Sequence, residues 1–336
     1  MLQKYGKNVD MRFLKRDIVK IKEMIQNNSE FSRENLVRFN EKLNYECRIC
    51  HNKNFSKFTN VHGYEYVQCI TCKSIILLNI PDVKKLYEQN ESKASMIYLN
   101  EEVFYRRVET IAVPKIQFIS EAIEWHNHCL WCDVGCGVGE ILTGLKQNYH
   151  GIEGIGIEID SAEIQFGLDK GLKIIKGFIN PENTPDEIIE IICKADIVSM
   201  MNVLEHIEKP DKTVDFYKRY MKSGAYLVIE VPRHPSLASF VNLVSPELTY
   251  RHIVPPVHLQ IFSDEAIEFM AGEEFKLVAT WGFGQGYTDI LTSTMLLGKI
   301  SEMKLYSDLM DIGNDVQKVI DEKGFSDQMI YVLRKK

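Results

Sequence analysis

No apolar run in this 336-residue chain is long enough to cross a membrane; GAYLVIEVP at residues 224–232 reads as a buried strand at most. The N-terminal MLQKYGKNVDMRFLKRD has no apolar core of the kind a signal peptide requires. These two absences lead us to expect a cytoplasmic chain whose eight cysteines stay reduced. An excess of positive charge is lacking too. A net charge of −7 excludes nucleic-acid binding by electrostatics over the whole surface. What is present is an ordinary globular composition, 45% hydrophobic and 26% charged, in a chain long enough for two domains.

Charge is spread unevenly. Residues 1–22 hold Lys4, Lys7, Arg12, Lys15, Arg16, Lys20 and Lys22 against Asp10 and Asp17. Met11, Leu14, Ile18, Ile21 and Ile25 recur at helical spacing, which predicts a basic amphipathic helix. Asn and Ser at 27–29 predict a break, and Leu36, Phe39 and Leu43 predict a second helix after it. Segment 1–44 is therefore expected to be a helical hairpin packed on the main domain or on a second copy of the chain, as in a homodimer. Contact with an anionic membrane surface is the alternative.

Cys47-x2-Cys50 and Cys69-x2-Cys72 have the spacing of a four-thiolate zinc site. Each C-x-x-C makes a tight turn that aims two sulfurs at one point. The segment between the pairs is too short and polar to bury much core, so metal would supply folding energy. With all four positions taken by protein, the zinc would be structural, and His51 beside Cys50 a bystander. Cys129-x2-Cys132 has the same spacing, but HCLWCDV reads as a strand, where positions three apart face opposite ways. Cys129, Cys132, Cys136 and Cys193 are accordingly read as small core or loop residues.

From residue 128 strand-like and helix-like segments alternate: CLWCDVG, GEILTGLKQN, GIEGIGIEID, SAEIQFGLDKG with Ser161 as N-cap, LKIIKG, TPDEIIEIICK, ADIVSMM, KPDKTVDFYKRYM and GAYLVIEVP. This succession predicts an α/β fold, a doubly wound, largely parallel sheet with ligands beyond the carboxyl ends of its strands. Asp133 to Gly139, Glu158, Gly177 and Met201 to His206 all fall at such ends. A dinucleotide site needs G-x-G-x-x-G, whereas here Gly135, Gly137 and Gly139 are followed by Glu140, which would repel a pyrophosphate at a helix N-terminus. Glu158, at the end of the second strand, can take both hydroxyls of a ribose, and Asp133 can face an ammonium. Adenosine with an ammonium-bearing tail and no phosphate describes S-adenosylmethionine.

These residues resemble a known family. DVGCGVG, GIEID, ADIVSMMNVLEHIEKP and GAYLVIEVP are similar to successive motifs of class I S-adenosylmethionine-dependent methyltransferases. YEYVQCITCKSIILLNIPDVKKLYE resembles the zinc ribbon and following segment that precede this domain in many bacterial members. HLQIFSDEAIEFMAGEEFKLVA and KGFSDQMIYVLRKK resemble the later helix and strands. The resemblance implies a Rossmann-like seven-stranded sheet at 128–336, with a helical N-terminal segment (1–44), a zinc ribbon (45–80) and a helical connector (81–127) before it. Residues 233–260 would be an acceptor-site insert and 285–323 a helical insert. Cofactor contacts are expected at Asp133, Val134, Gly135, Cys136, Gly137, Gly139, Glu158, Ile159, Gly177, Phe178, Asn202 and Val203. Phe178 either stacks on the adenine or fills core. The chain departs from the pattern at His51 and Lys73, where ribbons usually carry glycine, and at Asn202, where Asp is common.

The sulfonium is already an activated electrophile, so the protein must mainly align a nucleophile with the methyl group. A hydroxyl or carbon-acid acceptor also needs a base, and His258 in VHLQIFS is the first candidate. Its segment resembles the one that supplies a catalytic histidine in sugar C-methyltransferases. His206, Tyr250 and His252 are the other candidates. The acceptor expected from the resemblance is a small carbohydrate, a sugar or nucleotide-linked sugar of surface-polysaccharide or natural-product biosynthesis; another small metabolite or a lipid-linked intermediate is the alternative. Nicotinamide-dependent oxidation and a non-catalytic, partner-binding zinc module are the readings from other classes. Calorimetry separates the first two: S-adenosylhomocysteine should bind and NAD should give no heat, and the opposite result would make the chain a dehydrogenase.

Overall fold

The computed structural model describes residues 1–6, 18–40, 45–82, 86, 98–124, 128–298 and 303–336. Its strands are β1 (Leu2–Tyr5), β2 (Phe55–Val61), β3 (Tyr64–Cys69), β4 (Ile75–Leu77), β5 (Cys129–Val134), β6 (Ile152–Glu158), β7 (Ile174–Lys176), β8 (Ile197–Met201), β9 (Tyr226–Pro232), β10 (Gln260–Ile261), β11 (Phe275–Phe283) and β12 (Gln328–Lys335). Eight of them form one sheet in the order β1-β11-β12-β9-β8-β5-β6-β7. Pairing from β7 to β9 is parallel, and β12 runs antiparallel between β9 and β11. Strand order reverses at β5, which has β6 on one side and β8 on the other. A ligand crevice is expected beyond the carboxyl ends at that reversal.

Sequence explains the covering of this sheet. Every residue of β9 is buried, as befits a strand packed on both faces, and its run of Leu, Val and Ile carries no alternation. The helix Ser161–Asp169 starts one residue earlier than Ser161 suggests as a cap: Asp160 accepts from the amides of Ala162 and Glu163. Cys129, Cys132 and Cys136 are buried, whereas Cys193 is exposed on the helix Asp186–Lys194 rather than part of the core.

The N-terminal segment differs from the expected hairpin. Leu2–Tyr5 is an eighth strand, parallel to β11, so the sheet exceeds the seven strands foreseen. Trp281 holds it by donating its indole N–H to the Gly6 carbonyl at 2.7 Å, while the Lys4 ammonium sits 3.9 Å from that ring's centre. Of the predicted basic helix, Ile18–Glu34 is helical, and Met11 and Leu14 lie outside the described residues. The break expected at 27–29 falls inside that helix. The reason is tertiary: Asn28 donates to the Tyr250 carbonyl, and the fully buried Ser32 donates to that of Pro255 at 2.7 Å. Leu36 and Phe39 are irregular rather than helical, and Leu43 lies outside the described residues.

The cysteine-bearing segment forms a second sheet, ordered β10-β4-β3-β2. Its fourth strand, β10, comes from far downstream, so the segment is built into the main body. Insert 233–260 contains the helix Leu237–Val244, and insert 285–323 the helices Gly286–Gly298, Met303–Asp311 and Gly313–Glu322. Arg251 joins the two inserts, meeting Asp289 at 2.6 Å and Asp327 at 2.5 Å, while the Tyr250 hydroxyl donates to Asp289 at 2.7 Å. Both acids are buried. Arg251→Leu should lower unfolding stability in urea by about 3–5 kcal/mol, because two buried carboxylates lose their cation. Lys304→Ala, which breaks an exposed pair with Asp308, should leave that stability unchanged within the error of the measurement.

Candidate active site

The loop after β5 is shaped by three glycines in the left-handed region, with φ of 68°, 53° and 84° at Gly135, Gly137 and Gly139. A Cβ on Gly135 would lie 2.5 Å from Val203, and one on Gly139 2.4 Å from Leu172. These two glycines therefore let the loop pack on protein. Gly137 is different: its nearest neighbour would be 3.7 Å away, at the Glu163 carboxylate, so the space before it is open. Its amide donates to Glu158 Oε2 at 2.8 Å, and Glu158 Oε1 accepts from the amides of Ile159 and Asp160. Val134 and Cys136 have buried side chains.

The surroundings are acidic. Glu163 is pushed up to about 8, first by burial and then by Glu158, Asp160 and Glu140. Glu140 is met by Arg107 at 2.5 and 3.2 Å. Such a cradle disfavours pyrophosphate and suits a ligand with cationic groups. Asp133 does not stand at the surface to meet an ammonium. It is 2% exposed, pushed up to about 7 by burial, and accepts from the Ser199 hydroxyl directly across from it on β8. At the neighbouring strand ends, Ile159 is 41% and Phe178 54% exposed, which removes the core reading of Phe178 and leaves two apolar surfaces flanking Glu158. Gly177 donates to the Glu158 carbonyl and abuts Ile188.

Asn202 follows the last residue of β8 with a φ of 57°, a conformation Asn tolerates better than most residues. Its side-chain amide donates to Glu230 Oε1 at 3.1 Å, and Lys115 meets Glu230 Oε2 at 2.5 Å. These groups line a cavity of about 180 Å³ together with Arg107, Trp281, Gln285 and Gln328. The buried Gln328 Oε1 has no hydrogen-bond partner among the described residues. Lys115 reaches the cavity through a local irregularity. Helix Glu101–Arg107 runs through a π turn, Val108–Ala112, into helix Val113–Ala122, and the Val113 amide donates to the Val108 carbonyl five residues back. The wider turn accommodates Pro114, which lacks an N–H, and presents Arg107, Thr110, Ile111, Pro114 and Lys115 on one side. A larger hollow of about 490 Å³, lined by Lys22, Arg33, His62 and Glu247, contains no strand end of the large sheet.

None of the four expected acceptor-side residues lines the smaller cavity. His206 and His258 are brought together, ring centres 4.9 Å apart, beside the buried Glu205. Burial, then His206, pushes His258 down to about 3. Burial pushes Glu205 well above the usual carboxylate range, and the charge of Glu230 adds to this. Tyr250 is engaged with Asp289, and His252, which is buried, lies 3.3 Å from the Ser236 hydroxyl.

The four upstream cysteines gather, with all sulfurs within 4.8 Å of one another. Their two turns repeat one pattern: the amides of Cys47 and Cys69 donate to the carbonyls of Asn52 and Ser74, and those of His51 and Lys73 to the carbonyls of Cys47 and Cys69. His51 and Lys73 adopt φ of 57° and 62°, the conformation glycine would give. The donor set fits a tetrahedral, thiophilic cation.

A family model described as a methyltransferase domain matches residues 104–280, more than half of the chain. The chain belongs to the class I S-adenosylmethionine-dependent methyltransferases. Among solved structures, it is similar to a possible histamine N-methyltransferase from Thermotoga maritima, at 19% identity over 74% of this chain and 100% of that one, with a TM-score of 0.46. A methyltransferase from Archaeoglobus fulgidus matches at 20% identity over 70% and 100%, TM-score 0.44. A phosphoethanolamine N-methyltransferase from Haemonchus contortus, in complex with S-adenosylmethionine, matches at 14% over 95% and 76%, TM-score 0.47. No curated protein matches closely.

In this methyltransferase, Lys115, Glu230, Gln285 and Gln328 line the strand-end cavity and were not singled out from the sequence. The one local signal was Pro114 inside a helical pattern, and Glu230 was hidden in an otherwise apolar strand. Glu158→Ala should weaken S-adenosylhomocysteine binding about tenfold or more in calorimetry, since hydrogen bonds to a charged group contribute about 1.5–3 kcal/mol. Unchanged affinity would remove Glu158 from the nucleoside site.

Proposed function

We propose that this methyltransferase moves the methyl group of S-adenosylmethionine to a hydroxyl or activated carbon of a small polar acceptor, most simply a sugar or nucleotide-linked sugar. The observation that carries the reading is the shared strand-end location of two different sites. Open space before Gly137 and the Glu158 carboxylate lie at the ends of β5 and β6, and a polar cavity with Lys115, Asn202 and Glu230 lies beyond β8 and β9. In this reading the nucleoside rests on Glu158, Ile159 and Phe178. The methionine end passes Gly135–Gly139 toward Asn202 and Val203, and the acceptor enters the cavity.

An acceptor hydroxyl placed there would hydrogen-bond Gln285 and Gln328 and give its proton to Glu230. Asn202 orients that carboxylate, and Lys115 balances its charge. The oxygen then attacks the methyl carbon as the carbon–sulfur bond pair returns to sulfur. We assign His206 and His258 to the wall on the acceptor's other side, and Tyr250 and His252 to bracing the 250–258 segment. Cys47, Cys50, Cys69 and Cys72 would hold a structural Zn²⁺ that fixes β2, β3 and β4 and, through β10, the start of that wall.

A panel of nucleotide sugars assayed for methyl transfer tests the acceptor class. With the best acceptor, Glu230→Gln should lower kcat by about 10²–10⁴-fold while S-adenosylhomocysteine binding holds within about twofold. Turnover near wild type would take Glu230 out of the proton path.

A further inference from the structure

Three residues beyond Asn202 stands a carboxylate that no donor of another described residue answers. Glu205 is fully buried, and neither of its oxygens has a hydrogen-bond partner among the described residues. Gln260 packs against the same turn, its amide donating to the carbonyls of Leu204 and Ile207, and its buried Oε1 is unanswered as well. A buried pocket of acceptor oxygens without donors is costly unless something positive enters it.

Two nitrogen ligands are at hand. One donor atom from each of Glu205, His206 and His258 lies within 4.8 Å of the others, and His206 Nε2 is 3.9 Å from Glu205 Oε1. His206 Nδ1 lies 2.9 Å from the Val257 carbonyl, and His258 Nδ1 2.6 Å from that of His252. A carbonyl oxygen can only accept, so both Nδ1 atoms carry the proton and both Nε2 atoms carry the lone pair. Histidines that bind metals are oriented in this way, by a second bond from the other ring nitrogen. The two rings are part-exposed while the carboxylate is buried, which leaves coordination positions open.

We propose that Glu205, His206 and His258 bind a first-row divalent cation, at a site separate from the four cysteines. Two imidazoles and one carboxylate, with open positions, suit such an ion. Its catalytic task rests on the acceptor reading above: an ion held by these three residues would make a coordinated acceptor hydroxyl more acidic, so that the proton would pass to Glu230 and the oxygen would take the methyl group as the sulfonium became a thioether.

The test is cobalt chloride titrated into the full-length chain with its cysteines loaded with zinc, followed by visible absorption. One Co²⁺ per chain should bind, giving ligand-field bands without thiolate charge transfer. His258→Ala and Glu205→Gln should each bind it at least about tenfold more weakly, with the far-ultraviolet circular dichroism of the wild type. Absence of these bands in the wild type, or equal binding by His258→Ala, would overturn the proposal. Should Glu205→Gln not fold, His258→Ala decides, since its part-exposed ring leaves no buried charge behind. Cobalt binding is read without turnover, so its failure leaves the methyl-transfer reading standing, and methyl transfer that fails with cobalt bound overturns only the latter.

Discussion

The backbone of Leu259–Ser263 is hydrogen-bonded on both edges, and the geometry of the turn after Asn202 and of segment 250–258 depends on it. On one edge Gln260 and Ile261 pair with β4, and the Leu77 amide donates to the Leu259 carbonyl. On the other edge the Phe262 amide donates to the Pro232 carbonyl at the end of β9, and the His234 amide to that of Phe262. The Leu259 amide in turn reaches the Glu205 carbonyl. Five residues thus register the cysteine sheet, the end of the central strand and the turn that follows Asn202. Each is a backbone bond in a buried segment, so a slip of one residue would leave several groups unpaired.

That clamp gives the cysteine segment a task beyond its own stability. The Ser263 hydroxyl donates to the Cys72 carbonyl and caps the next helix by accepting from Ala266, and the Tyr66 hydroxyl donates to the His258 carbonyl. Order at the sulfur cluster is therefore transmitted to His258 through short, buried contacts. Charge is divided across the crevice in a way that matches a sulfonium ligand. Acids crowd the ends of β5 and β6, while Arg107 and Lys115 stand over the neighbouring strand ends beside Glu140 and Glu230.

Much of this was legible from local chemistry. The β-α succession after residue 128, the glycine loop and Glu158 follow from periodicity and turn requirements that act over a few residues. So does the cysteine spacing, and the left-handed His51 and Lys73 show that the turn tolerates polar residues where glycine is usual. The N-terminal segment was misread for the opposite reason. Asn28 looks like part of a helix break, yet its side chain, like that of Ser32 one turn on, bonds to a carbonyl more than two hundred residues away.

The sequence by itself determined the fold class, the glycine-rich loop after β5 and the convergence of four thiols, because each depends on residue types at fixed short spacing. Only the tertiary structure decided that Lys115 meets Glu230, that Glu205 is buried beside two histidines with no donor from another described residue, and that Leu2–Tyr5 extends the sheet. Those groups are brought together by a π turn, a clamped strand and an edge pairing between segments far apart in the chain. Their energies come from burial and backbone complementarity, which no local pattern records.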